Sequence, residues 1–335
     1  MDLKATVNGS YTVDHMHPCY EFDRISYVPV FIKEISIMCA LLYFFLGLLA
    51  VVITCGNLLV IISIVYFKQL RTSTNYLILS LAVADLLVGM LVFPFSMAFT
   101  LTSCWYHEDL FCKVRGGVDT TLSQASILHL CCISIDRYYV ICQPLTYKSK
   151  VNDRSIGIMI LMIWTISIVI GIGIAKVDFN KINCEDGCLL DVLLASIVST
   201  IFCFYIPVII MLSIYLKVFL VAKRQANSIQ TTACQDKKSR ITVSKMERKA
   251  TKTLAIVMGV FFLCWTPFFL CIFFQPLTYD VTPVVVLETF YWLALSNSML
   301  NPFIYAFFYS WFRSAFRIII SGKILQGDFV NSKLF

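Results

Sequence analysis

Seven long apolar segments constrain the fold of this chain more than any other feature of its sequence. Each reaches the roughly 20 residues that a helix needs to cross about 30 Å of hydrocarbon. Because 59% of the 335 residues are hydrophobic and only 14% are charged, a soluble globule could not bury so much apolar surface. The sequence therefore predicts an all-α membrane protein, a bundle of seven transmembrane helices. We number the segments as spans one to seven, which cover residues 35–67, 75–102, 110–142, 155–175, 192–222, 250–275 and 284–308.

Basic residues indicate the side of the membrane on which each loop lies. The loop between spans five and six, residues 223–249, carries eight Lys or Arg residues and only two acidic ones. By the positive-inside rule this loop is cytoplasmic, and an odd number of spans then places the N-terminus outside the plasma membrane. The formal net charge of +7 is thus a topology signal and does not indicate a nucleic-acid partner.

Three regions follow from these assignments. Residues 1–34 form an extracellular segment, residues 35–308 the bundle, and residues 309–335 an amphipathic helix with a short cytoplasmic tail. Ser332 in the tail, with residues of the third cytoplasmic loop, is a candidate phosphorylation site for arrestin binding. The helix is predicted to lie on the membrane lipid of the inner leaflet. Its apolar residues are Phe312, Phe316, Ile319 and Ile320, and its basic residues are Arg313, Arg317 and Lys323.

Asp119 is an acidic residue in the middle of span three. A charge at that depth costs roughly 2.5 to 3.5 kcal/mol, so it normally faces a cavity and meets a partner. No Lys or Arg occurs at this depth in the other spans. We therefore expect the missing partner to be a small-molecule ligand, a protonated amine, with Ser123 one turn further along the same face. The alternative is that Asp119 pairs with a neighbouring helix.

Aromatic and hydroxyl side chains complete the predicted ligand site. Trp265 and the pair Phe268 and Phe269 flank the kink that Pro267 must produce in span six. Aromatic walls attract an ammonium group and pack against the carbon skeleton of a ligand, although core packing explains any single Phe equally well. Ser199 and Thr200 in span five can bond a ligand hydroxyl or their own backbone.

Glu288 is a second unexpected acid, near the outer end of span seven. Helical spacing places it on one face with Trp292 and Leu295. Two carboxylates, Asp119 deep and Glu288 near the rim, would suit a flexible diamine or polyamine better than an amine with one charge. The alternative is a residue that reaches the membrane edge and takes no part in binding.

An ordered set of motifs, one in each span, resembles the rhodopsin-like class of G-protein-coupled receptors. The set consists of Gly56-Asn57, Asp85 within Leu-Ala-Val-Ala-Asp-Leu-Leu, Asp136-Arg137-Tyr138, Trp164, Tyr205-Ile206-Pro207, Cys264-Trp265-Thr266-Pro267 and Asn301-Pro302-Phe303-Ile304-Tyr305. The run from Asn297 to Phe312 is similar to the fingerprint of trace amine-associated receptors. This resemblance implies an amine ligand, a stimulatory or olfactory G protein that raises cAMP, and an olfactory role.

The class resemblance also implies roles for residues nearer the cytoplasm. A sodium ion would bind among hard oxygen ligands at Asp85, and a water-filled hydrogen-bond network is the alternative. No other cofactor is expected. Asp136 would restrain Arg137 at rest, and Arg137 would later meet the G protein together with Tyr215. The remaining members of the sodium and activation network are Ser126, Asn297, Ser298, Asn301 and Tyr305. Aminergic relatives usually carry tyrosine where this chain has Leu295, which departs from a simple monoamine pocket.

Five of the fourteen cysteines lie at the outer side, where disulfides persist. We predict that Cys112 pairs with Cys188 and that Cys19 pairs with Cys184; the second pair is similar to one in the receptor family. Exchange of Cys184 with Cys188 stays open as the rival pairing. Cys104 is then left as a free thiol. Asn8 begins an Asn-Gly-Ser glycosylation acceptor in the extracellular segment.

Other protein classes fit the sequence less well. An enzyme needs a nucleophile and base or a metal cluster, but the four His residues show no metal-ligand spacing. A secondary amine transporter would show repeated halves and interrupted helices. Within the receptor class, a serotonin-like or other monoamine receptor is the alternative function.

Overall fold

The computed structural model describes residues 29–102, 109–143, 147, 151–176, 197–231, 237–274 and 284–325. These residues are helical apart from short turns and contain no β-strand, which confirms the predicted fold class. The helices are Pro29–Tyr66 in span one, Ser73–Leu87 and Phe93–Thr102 in span two, Asp109–Cys142 in span three, Asp153–Lys176 in span four, Ile206–Thr231 in span five, Lys237–Phe274 in span six, and Val284–Leu295 and Asn297–Phe308 in span seven.

Spans two and five each contain one π-helical turn. Val88–Val92 joins the two helices of span two, and Ile201–Tyr205 precedes the main helix of span five. A π turn inserts one extra residue into a helix and is frequent at functional sites. Residues before such a turn are therefore rotated from the face that regular helical spacing predicts.

Span seven is broken at Ser296 into two helices of 12 residues each. Among the described residues, six helices are long and apolar enough to cross a membrane, and the two shorter helices of span seven are not among them. Pro302 has no N–H to donate to the carbonyl of Ser298 four residues earlier. The Asn57 side chain donates to that carbonyl over 3.1 Å. A Cβ added to Gly56 would lie 3.2 Å from the Pro302 ring, so glycine lets spans one and seven approach closely.

Several helix boundaries differ from those predicted. Span one begins at Pro29, not at residue 35, as expected for proline in the first helical position. The helix of span five continues to Thr231, and the helix of span six begins at Lys237. Most of the predicted cytoplasmic loop 223–249 is therefore helical. Polar residues with good helix propensity extend both helices beyond the apolar segments that hydropathy detects.

The amphipathic helix is present at Ser310–Ile320. Ile320 is exposed, as expected for a residue facing lipid, but Phe312 is completely buried and stacks on Tyr305 of span seven at 5.6 Å. Arg313 donates to the carbonyl of Phe307 over 2.6 Å, which satisfies an acceptor at the end of span seven. The helix is thus fixed to the bundle by a ring stack and an arginine cap.

Span three lies at the centre of the bundle and packs against spans two, four and five. The main core cluster joins Leu130 of span three to Leu81 of span two and Phe261 of span six. A second cluster nearer the outer side joins Leu122 of span three to Phe93 and Leu295. Span three contributes to both clusters, and residues of spans two, six and seven pack against it there. These contacts fix the position of its polar side chains.

Spans three and four approach each other closely at two glycines, Gly117 and Gly171. A Cβ added to Gly171 would collide with the Thr121 hydroxyl and lie 2.5 Å from the carbonyl oxygen of Gly117. A Cβ added to Gly117 would lie 3.1 Å from that of Ala175. Small residues of this kind let helix backbones pack together inside a membrane.

Gly171→Ala is expected to destabilise the protein by about 1–3 kcal/mol, because the added methyl group overpacks the contact between spans three and four. The thermal unfolding midpoint of the purified protein in detergent measures this change. Gly173→Ala is the matched control, since a Cβ there meets no atom within 4 Å. Equal unfolding midpoints for both variants would contradict the close contact.

Candidate functional site

The Asp119 carboxylate is half-buried in span three and accepts hydrogen bonds from two hydroxyl groups. Tyr291 of span seven donates to Oδ2 over 2.9 Å. Ser123, one turn along span three, donates to Oδ1 over 3.3 Å. The first of these bonds joins spans three and seven directly.

Arg115 places a positive charge one turn before Asp119 on the same helix. Its charge acts on the Asp119 carboxylate, and its guanidinium carbon lies 6.0 Å from the centroid of the Tyr291 ring. The guanidinium donates to the hydroxyl of Ser96 in span two over 3.3 and 3.4 Å, and that hydroxyl lies 3.1 Å from the Tyr291 hydroxyl. Asp119 therefore has partners within the protein, and the expectation that a ligand ammonium group also binds it stays a prediction. The prediction that no Lys or Arg lies at this depth concerned the other spans, whereas Arg115 lies in span three itself.

Tyr291 is the second residue that the sequence interpretation missed. It lies three residues after Glu288 and four before Leu295, so the spacing that placed these two on one face includes Tyr291 as well. Its hydroxyl donates to Asp119 from a position one turn before Leu295, where aminergic relatives usually carry tyrosine. Leu295 is almost fully buried among core residues such as Ile53 and Val92.

An aromatic cluster from spans five, six and seven lies next to this carboxylate. Phe268 is 5.8 Å from the Tyr291 ring and 5.6 Å from Phe269. Phe269 stacks on Phe204 of span five at 4.2 Å and lies 5.7 Å from the buried Trp265. The three predicted aromatic residues of span six therefore form one continuous surface that Tyr291 extends.

The other predicted ligand residues occupy different surroundings. Thr200 is buried and Ser199 is half-buried, both directly before the π turn of span five. Trp292 packs 5.3 Å from Phe93 of span two and 5.6 Å from Tyr291. Glu288 is half-buried near the beginning of span seven.

Asp85 is completely buried and accepts three hydrogen bonds from two other spans. Ser126 and Ser298 donate to Oδ1 over 3.0 and 2.8 Å, and Asn301 donates to Oδ2 over 2.7 Å. Asn297 is also buried, but its Nδ2 has no hydrogen-bond partner among the residues that the structure describes. The predicted network residues thus converge on Asp85, with Asn297 outside the set of direct donors.

Asp136 forms a network at the inner end of span three. Its Oδ2 lies 3.4 Å from Nε of Arg137, and the Thr74 hydroxyl of span two donates to both carboxylate oxygens over 3.1 and 2.9 Å. Tyr147, another residue that the sequence interpretation missed, donates to Oδ1 over 3.3 Å. Burial raises the pKa of the Tyr147 hydroxyl above its ordinary value, so it stays a donor at physiological pH. Tyr215 is half-buried in span five.

Sequence comparisons agree with this architecture. Residues 56–305 match the family described as 7 transmembrane receptor (rhodopsin family). The chain is 42% identical over 312 residues to trace amine-associated receptor 1 of Macaca mulatta, an alignment that covers 88% of this chain and 92% of that receptor. It is 41% identical to trace amine-associated receptor 4 of Mus musculus, over 89% of this chain and 90% of that receptor. It is also 41% identical to trace amine-associated receptor 9 of Homo sapiens, over 88% and 89%. The chain belongs to the trace amine-associated receptors.

Membership in this family settles the broad function. The chain is a G-protein-coupled receptor of the plasma membrane with several membrane spans, a small-molecule ligand and a G-protein partner, and it is not an enzyme. The cysteines whose side chains the structure describes are free thiols, including Cys131 and Cys264 in the bundle core. The predicted glycosylation site at Asn8 and the predicted disulfides Cys112–Cys188 and Cys19–Cys184, with Cys104 as the free thiol, lie outside the residues or side chains that the structure describes.

Proposed function

We propose that this receptor responds to protonated amines whose ammonium group binds the Asp119 carboxylate. A carboxylate offers about four acceptor sites, and the hydroxyls of Tyr291 and Ser123 each use one. The remaining sites can accept charge-assisted hydrogen bonds from an ammonium group. The relatives are named for trace amines, which agrees with this chemistry.

The aromatic surface beside Asp119 supports the same ligand class. Phe268 and the Tyr291 ring lie 5.8 Å apart, so an ammonium group bound at Asp119 has aromatic groups beside it. Such rings attract cations and pack against apolar carbon atoms. A primary amine with an apolar or aromatic body therefore fits better than a hydrophilic neutral ligand.

The same aromatic residues would carry the signal inwards. Phe269 connects Phe268 to Trp265, whose Nε1 is buried without a hydrogen-bond partner among the described residues. Trp265 lies two residues before Pro267, where the helix is weakened. A ligand that displaces these rings biases span six between two packing arrangements.

At the inner side, movement of span six would free Arg137 from Asp136 to contact the G protein. We infer a stimulatory or olfactory G protein, a rise in cAMP, an olfactory role and arrestin binding from the family resemblance.

The excess of basic residues in loop 223–249 supports an extracellular N-terminus. Asp119 lies about 27 Å from Arg137 along span three, so the two sites lie toward opposite membrane faces.

A second candidate is a receptor for diamines or polyamines. Glu288 lies one turn before Tyr291 on span seven and would meet a second ammonium group. Arg115 opposes this ligand class, because its positive charge lies against the same Tyr291 ring. If Glu288 takes no part in binding, the first candidate stands and the receptor responds to monoamines, as a serotonin-like receptor does.

We also propose that a sodium ion binds at Asp85 in the resting receptor. One carboxylate with the hydroxyl groups of Ser126 and Ser298 supplies hard oxygen ligands for a hard cation. A single carboxylate with hydroxyl groups carries one negative charge and no soft ligand, so the chemistry suits a monovalent cation better than a transition metal. A bound ion would neutralise the Asp85 charge and stabilise the arrangement of spans two, three and seven that it contacts.

Asp119→Asn is expected to raise the half-maximal concentration of any activating amine by at least about 100-fold, because it leaves the ligand charge unpaired. The readout is cAMP, with nucleotide exchange on a panel of G proteins to separate loss of binding from a different coupling partner. An N-terminal epitope stained on intact cells measures surface expression and orientation together. Asp153→Asn, an exposed acid on span four, is the control. Unchanged amine responses in Asp119→Asn would refute the proposed site.

If diamines are ligands, Glu288→Gln should flatten the dependence of potency on diamine chain length and leave monoamine potency unchanged. The neutral amide keeps the size of the side chain but removes its attraction for the second ammonium group. Dose–response curves for α,ω-diamines of increasing length make the comparison. Identical curves in both receptors would leave only the site for one amine.

Sodium is expected to lower the affinity for an activating amine, because an ion bound only in the resting arrangement stabilises that arrangement. Amine affinity is compared in sodium chloride and choline chloride at equal ionic strength. Asp85→Asn should remove the difference, whereas the Asp153→Asn control should keep it. A sodium effect that survives in Asp85→Asn would place the ion elsewhere.

A further inference from the structure

Arg115 and Asp119 place opposite charges side by side in the proposed ligand site. Four residues separate them on span three, a rise of about 6 Å along one helical face. Tyr291 contacts both, since its hydroxyl donates to Asp119 and its ring lies under the guanidinium. Ser96, which is almost fully buried, accepts from the guanidinium and meets the Tyr291 hydroxyl. Three spans thus hold the two charges in a fixed relation.

We propose that Arg115 is a second ligand-binding residue, which makes the receptor prefer amines that also carry a carboxylate or another anionic group. The ligand class is therefore a zwitterion, with its ammonium at Asp119 and its anion at Arg115. This inference rests on the proposed function, because Asp119 must bind the ammonium group for Arg115 to select the other end.

The chemistry of arginine favours this assignment. A guanidinium group stays charged at all physiological pH values and presents planar paired donors that match a carboxylate. Arg115 is half-buried within the membrane part of span three, where charges are screened less than at the protein surface. A second ammonium group in its place would meet a like charge, and an alkyl end would gain no hydrogen bond. The pair therefore ranks ligands by the charge of their second end.

The test compares three ligands that share one chain length and differ only at the second end: an ω-amino acid, an alkylamine and an α,ω-diamine. Several chain lengths are measured, because the series then reports the distance between the two subsites. The wild-type receptor should respond to the amino acid at least about tenfold better than to the alkylamine, with the diamine weakest; tenfold corresponds to about 1.4 kcal/mol.

Arg115→Gln should remove the advantage of the amino acid, and Arg115→Glu should reverse the order so that the diamine becomes strongest. Lys113→Glu makes the same charge change two residues away, on another face of span three, and should keep the wild-type order. A gain of diamine response in Arg115→Glu cannot come from misfolding.

The outcomes separate this inference from the proposed function. If the wild type prefers the alkylamine or the diamine at every length, Arg115 is only an internal counter-ion of Asp119 and the inference is wrong. If Asp119→Asn leaves all three ligands unaffected, the amine site itself is wrong. An order that is the same in wild type and Arg115→Glu would also overturn the role of Arg115.

Discussion

A carboxylate inside a membrane must be compensated, and this requirement organises the bundle. Leaving such a group without partners costs several kcal/mol. Asp119, Asp85 and Asp136 lie at three depths, and each accepts hydrogen bonds from hydroxyl or amide groups of at least one other span. Asp119 joins span three to span seven, Asp85 joins spans two, three and seven, and Asp136 joins span three to span two. The acids therefore fix how the helices are placed relative to one another.

The same requirement explains the irregular parts of the helices. Pro302 leaves the Ser298 carbonyl without its helical donor, and Asn57 of span one replaces that donor. The Ser298 hydroxyl meanwhile donates to Asp85, so one residue links a helix irregularity to the buried acid. Networks with such shared members gain or lose several bonds together. A shift of span seven would therefore change the surroundings of Asp85 in one step, which is the behaviour that a receptor needs.

Most of the fold could be predicted because long apolar segments report membrane crossing directly. Tyr291 could also have been predicted as a site residue, because helical spacing places it on the same face as Glu288. Arg115 could have been predicted too, because it lies one turn from Asp119. The environment of Ser199 and Thr200 could not be predicted, because the π turn Ile201–Tyr205 changes the helical register that regular spacing assumes. Tyr147 lies beyond the end of the span-three helix, where no periodic pattern exists.

Arg115 changes what Asp119 can be expected to do in the absence of a ligand. An isolated carboxylate at this depth would be costly, but the guanidinium one turn away and the Tyr291 hydroxyl both stabilise its charged form. An amine that binds Asp119 must therefore compete with compensation that the protein already supplies. A ligand whose second end binds Arg115 gains an interaction at both charges, whereas a simple amine gains only one. The proposed selectivity among amines and the stability of the resting receptor therefore depend on the same compensation of charge.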